Sequence, residues 1–294
     1  MTATAEATGR SLRLPGGGRM GYAEFGDPAG HPVLLCHRYP GSRLQGAPLD
    51  QPARALGIRL ISPDRPGMGL STFRARRRIL DYPEEIETLA VGLDLPRFGV
   101  LGVSGGTAYA AVLAHALPRV TALGLIAALP PLSLPDVLET LPATDRKLFA
   151  MARYFPWVAH RAATDLAKLV QTDSDGLRRF LQHDLPNVDA DMLEQPDTWD
   201  LLLRDLREAF VTGAAGPAWE TRLLARPWGF DLARIGVPIY LWHGEADKNV
   251  PIAAIRRFID ALPTCRATIV PDQGHYSILP ARGADALAAL GQHA

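Results

Sequence analysis

The chain has 294 residues, with 31 acidic and 31 basic side chains and a formal net charge of zero when histidine is neutral. That balance, without a long block of like charge, argues against a nucleic-acid or polyanion partner. The length suffices for one large core, or for one core carrying an inserted subdomain. Lysine occurs only at Lys147, Lys168 and Lys248, an arginine bias that reads as genome composition rather than function. The opening "MTATAEATGR" lacks the apolar stretch of a signal peptide, and no run approaches the roughly 20 apolar residues of a membrane span. A cytoplasmic protein without a membrane partner is expected. Cys36 and Cys265 are the only cysteines, and Cys36 ends an apolar run, so neither a disulfide framework nor a metal site is implied.

In chain order, the first periodic stretch is "RMGYAEFGD" (19–27), which alternates as a half-exposed strand does. Short apolar runs follow: "PVLLC" (32–36), "IRLISPD" (58–64), "RFGVLGVS" (97–104) and "VTALGLIAA" (120–128). Two more come late, "PIYLWHG" (238–244) and "ATIVPD" (267–272). Continuous apolarity of that length fits strands buried on both faces of a mostly parallel sheet. Helical stretches lie between them at 83–94, 106–117 and 251–262. The alternation predicts a doubly wound α/β sheet. It breaks at 131–225, a polar-studded stretch without strand-like runs that carries Phe155, Trp157, Trp199, Phe210 and Trp219. This reads as an all-helical lid whose aromatics first build a small core of its own. The expected division is a first core part (1–130), the lid (131–225) and a second core part (226–294).

Chemistry enters at "GVSGG" (102–106), a G-x-S-x-G pattern between a strand and a helix. A serine on such a strained turn has its hydroxyl lifted above the sheet, and flanking glycines avoid clashes there. The hydroxyl is a poor nucleophile unless a base takes its proton and an acid orients that base. "HGEADKNVP" (243–251) places Asp247 just beyond one apolar run, and "PDQGHYS" (271–277) places His275 just beyond another. Ser104, Asp247 and His275, in that order and at strand ends, match the nucleophile-elbow arrangement, on the sheet edge where open α/β folds bind ligands.

With these residues the sequence resembles the α/β-hydrolase fold superfamily, in its lid-bearing, esterase-like or proline-iminopeptidase-like form, over about residues 12 to 290. The matching motifs are "HRYPGSR" (37–43), "SPDRPGMGLS" (62–71), "GVSGGT", "HGEADKNVP" and "GHYS". The resemblance implies Ser104 as nucleophile, His275 as general base and Asp247 as the orienting acid. It also implies an oxyanion hole made by the backbone N–H groups of Gly105 and Tyr39, no cofactor, and a small-molecule substrate.

Other residues compete for these roles. Asp272 lies three residues before His275 and is expected to point elsewhere; Asp136 is the first carboxylate after "AALPPLS". Serine at the elbow argues against chemistry that needs a carboxylate nucleophile. His37 reads as a loop brace, His115 as structural, and His160 and His183 as surface histidines. Arg38 departs from the family pattern, which has glycine there. Either its side chain turns to solvent or a nearby acid, or its guanidinium reaches the pocket and binds a carboxylate or enolate of the substrate. The first functional expectation is a serine hydrolase of an ester, lactone, thioester or small amide. The second uses the same pocket for decarboxylation, elimination, cyclisation or cofactor-free oxygenation of an anionic or enolisable substrate. A non-catalytic ligand-binding protein is the third.

Overall fold

The computed structural model describes residues 8–293. One sheet holds eight strands: β1 (Arg10–Arg13), β2 (Arg19–Gly26), β3 (His31–Cys36), β4 (Ile58–Pro63), β5 (Phe98–Val103), β6 (Val120–Ile126), β7 (Ile239–Gly244) and β8 (Cys265–Val270). Their order is β1-β2-β4-β3-β5-β6-β7-β8. β2 runs antiparallel to β1 and β4, and every other pair is parallel. The helices before the break in alternation are α1 (Asp50–Ala55), α2 (Tyr82–Gly92) and α3 (Thr107–Ala116). Between β6 and β7 come α4 (Val137–Thr140), α5 (Ala143–Ala152), α6 (Pro156–Thr172), α7 (Ser174–Gln182), α8 (Asn187–Glu194), α9 (Pro196–Ala209) and α10 (Ala215–Leu224), with no strand among the described residues there. α11 (Ile252–Ala261) and α12 (Ile278–Gly291) complete the order.

Strand periodicity sorts the core into two layers. On β3, Leu34 and Cys36 join one cluster while Val33 and Leu35 join the other. Side chains alternate across a strand, so a strand buried on both sides must be apolar at every position. The first layer is closed by Ile86 and Leu89 of α2, Val112 of α3 and Phe258 of α11. The second is closed by Ala53 of α1 and Leu287 and Leu290 of α12. Each such fully buried leucine stabilises the fold by about 1.5–3 kcal/mol.

Three elements escape the sequence reading. β1, "RSLR", has no apolar run and is a strand because β2 pairs with it. α1 spans only Asp50–Ala55, too short for a periodic signal. α12 is masked by Pro280 and Gly283. Pro280 falls in the first turn, where a missing N–H costs nothing. Gly283 is needed for packing, since a β-carbon there would lie 2.4 Å from Leu49. The last strand is also corrected, from 267–272 to Cys265–Val270. Pro271 cannot donate to the ladder, and Asp272 turns away at φ +56°.

The helical stretch is not one separate core. Val170, Leu177, Leu193, Trp199, Leu206 and Phe210 form a cluster of their own, but Phe149 of α5 and Leu224 of α10 belong to the first sheet layer. Of the aromatics expected inside, Trp199 and Phe210 are buried, Trp219 packs on the sheet layer, and Phe155 and Trp157 are exposed. No described helix is long and apolar enough to cross a membrane.

Candidate active site

β5 ends at Val103, and the chain turns through Ser104–Gly106 into α3. Ser104 takes φ +51°, a left-handed backbone that costs a residue with a β-carbon about 1–2 kcal/mol. The glycines make room for this turn. A β-carbon on Gly106 would lie 2.0 Å from the Cys36 carbonyl oxygen, and one on Gly102 would lie 2.7 Å from the Ala110 β-carbon.

The loops after β7 and β8 bring the partners. His275 Nε2 lies 3.0 Å from Ser104 Oγ, and His275 Nδ1 lies 2.8 Å from Asp247 Oδ2. The other Asp247 oxygen accepts the backbone N–H groups of Asn249 at 2.9 Å and Val250 at 2.8 Å, which fixes the carboxylate. Burial pushes the Asp247 carboxyl up, but His275, His243 and the Val250 N–H outweigh it and hold it below the ordinary carboxylate range. His275 shows the converse. Burial disfavours its imidazolium, yet the Asp247 carboxylate, aided by Asp189, holds its pKa above the ordinary histidine value. Such an array can take up a serine proton and stabilise the cation that forms.

Tyr39 and Gly105 stand side by side: a β-carbon on Gly105 would lie 3.3 Å from the Tyr39 nitrogen. Among the described residues neither backbone N–H has an acceptor, and both residues border the cavity at Ser104. The Tyr39 loop is clamped by Arg65 of "SPDRPGMGLS". Arg65 donates Nη2–H to the Arg38 carbonyl at 3.0 Å, Nη1–H to the His37 carbonyl, and Nε–H to Glu220 at 2.6 Å. Glu220, on α10, also accepts from Arg77 at 2.7 Å and from the Tyr109 hydroxyl at 2.8 Å. The sequence reading missed Glu220. Its signal was position: Pro217, Glu220, Thr221 and Leu224 share one helix face, and that face is buried.

Arg38 is mostly buried against a nearby acid. Its side chain is 15% exposed, and Nη2 lies 2.6 Å from Asp205 Oδ2 on α9. The contact is an ion pair without hydrogen-bond alignment. Asp205 is further held by the Ser42 N–H at 2.8 Å and the Ser42 hydroxyl at 2.6 Å. Arg38 is not in the left-handed region, so its backbone does not require the glycine of the family pattern.

A cavity of about 520 Å³ opens over this group. Its lining joins Arg38, Ser104, Gly105 and His275 to leucines of α5, α6, α7 and α9, among them Leu148, Leu166, Leu181 and Leu206. A larger open groove of about 770 Å³ along β1 and Thr72 holds none of these residues. The competing residues fall elsewhere. Asp272 is exposed, and Asp136 pairs with Arg257 at 3.2 Å on the surface. His37 is buried, with Nδ1 on the Arg38 carbonyl and Nε2 accepting from Arg65 N–H, which is a loop brace. His115 stacks on Phe230, and His160 and His183 are exposed.

Residues 31–281 match the alpha/beta hydrolase fold family. The chain belongs to that family. Solved structures agree on the fold at low identity. An esterase from Thermogutta terrifontis is 19% identical, with TM-score 0.69, over 97% of this chain and 100% of that one. An enol-lactonase from Burkholderia xenovorans is 17% identical, with TM-score 0.68, over 95% and 97%. A bromoperoxidase from Bacillus anthracis is 18% identical, with TM-score 0.65, over 96% and 97%. This α/β-hydrolase also carries two acids that sequence reasoning passed over, Asp189 and Asp205. Both lie on buried stripes of their helices, Asp189 four residues before buried Leu193 and Asp205 four before buried Ala209.

Proposed function

We propose that the protein is a serine hydrolase that cleaves the ester, lactone, thioester or small amide bond of a largely apolar small molecule through an acyl-enzyme. The observation that carries this reading is the run of contacts from Ser104 Oγ to His275 at 3.0 Å and on to Asp247 at 2.8 Å, at the wall of a largely apolar cavity. Ser104 attacks the carbonyl carbon, His275 takes its proton, and Asp247 holds the imidazole and balances its charge. The N–H groups of Tyr39 and Gly105 receive the developing oxyanion. His275 then returns the proton to the leaving group, and water hydrolyses the acyl-enzyme by the same steps in reverse.

The segment 131–225 serves as the lid. It supplies most of the residues that line the cavity, and its leucines suit an aliphatic chain on the substrate. Arg38 favoured the alternative of non-hydrolytic chemistry on an anionic substrate. With its charge matched by buried Asp205, it leaves the cavity without a free cation there, which supports a neutral substrate instead. Labelling with a fluorophosphonate tests the reading. Ser104 should be the modified residue, and Ser104→Ala should lose both labelling and turnover of p-nitrophenyl esters. Turnover that survives in Ser104→Ala rules out covalent catalysis by this residue.

A further inference from the structure

The loop that carries His275 is held from the helical segment as well as from the sheet. Asp189, on α8, is fully buried. Its carboxylate accepts three successive backbone N–H groups, from His275 at 2.7 Å, Tyr276 at 3.2 Å and Ser277 at 2.9 Å. These donors precede the first turn of α12, whose own carbonyls cannot reach them, and an anion is favoured at such a helix start. A β-carbon on Gly274 would lie 2.3 Å from Asp189 Oδ2, so the carboxylate fills the space that this glycine leaves. Gly274 itself donates its N–H to Ser277 Oγ at 2.8 Å, which closes the loop.

We propose that Asp189 is the positioning residue of His275: its buried carboxylate fixes the histidine's backbone, and its charge favours the imidazolium that forms when Ser104 gives up its proton. The proposal rests on reading His275 as the base. The charged and titratable groups that face His275 come from every side. Asp247 and His243 lie on the β7 side, Arg38 on the loop after β3, Asp145 on α5 and Asp189 on α8. Asp247 and Asp189 favour the protonated ring, and Arg38 opposes it. Because Asp189 belongs to α8, the helical segment cannot move away from the sheet as a rigid piece without releasing the histidine loop.

Asp189→Asn tests this. The amide nitrogen cannot accept, so at least one N–H loses its partner, and the charge is gone. kcat should fall by up to about 100-fold, the scale of a misplacement near 1 Å, with KM within about twofold. The acid limb of the pH profile should move to lower pH. Asp189→Glu keeps the charge, so its acid limb should stay at the wild-type pH although kcat falls. Full activity in Asp189→Asn, or an acid limb that does not move, overturns the proposal. Amide hydrogen exchange in the wild-type protein gives a test that needs no variant. The His275, Tyr276 and Ser277 amides should be protected, and exchange at the rate of an open loop overturns the proposal as well. Fluorophosphonate labelling separates the two levels: labelled Ser104 with an unmoved limb sinks only the Asp189 role, whereas no labelling sinks the triad beneath it.

Discussion

The hydroxyl of Ser104 faces an imidazole whose proton affinity is set by opposing effects. Burial lowers the His275 pKa, but the Asp247 carboxylate at 2.8 Å and the Asp189 charge together outweigh it, so the net direction is upward from 6.5. In the proposed mechanism the base works in its neutral form. Ser104-dependent turnover should therefore rise with pH through a midpoint above 6.5, which initial rates against pH will read. Asp247→Asn removes the charge and the preferred tautomer together. Its kcat should drop by about 10⁴ while circular dichroism stays native. A midpoint at or below the ordinary histidine value would contradict the charge balance described. The residues of this step were legible in the sequence because each follows an apolar run that ends at the same sheet edge. Their supports were not. Asp189 lies 86 residues from His275, and Glu220 lies 155 from Arg65.

At the scale of elements, the Arg38–Asp205 pair joins the loop after β3 to α9. Burial raises the Asp205 carboxyl pKa, and Arg38 and Ser42 offset only part of that rise. Arg38→Met leaves the carboxylate with the Ser42 hydrogen bonds and the charge of Arg65, and breaking such a pair costs about 3–5 kcal/mol. The pH dependence has a definite sign. A native pKa above the unfolded one means that the folded state binds a proton that the unfolded state lacks, so lowering the pH favours folding. The urea-midpoint gap between Arg38→Met and wild type should be wide at about pH 8 and narrower at about pH 5. A gap independent of pH would show that Asp205 does not take up the proton. The same scale shows how elements hide. Strands buried on both faces announced themselves as apolar runs, while β1 exists through pairing and α12 through contacts that tolerate Pro280 and need Gly283.

For the whole molecule, the sheet supplies the edge that carries Ser104, Asp247 and His275, and the helices between β6 and β7 supply most of the cavity wall over it. Leu166 is a half-buried wall residue of α6. Leu166→Trp should fill part of the 520 Å³ cavity and shorten the chain it accepts. kcat/KM for an octanoyl ester should fall by about tenfold or more, equivalent to about 1.4 kcal/mol, while an acetyl ester stays within about twofold. Equal loss on both esters would place the acyl chain elsewhere.

The sequence by itself determined the alternation of strands and helices, the glycine-flanked elbow at Ser104, and the chain order of Ser104, Asp247 and His275. Those features are local: a strand's periodicity, a strained turn and the residue after an apolar run are each written within about ten neighbours. Only the tertiary structure decided that Arg38 meets Asp205 across 167 positions of chain, that Arg65 braces the Tyr39 loop against Glu220, and that Asp189 holds the histidine loop. A buried charge must find its counterpart wherever packing brings one, and no local pattern encodes which distant helix that will be.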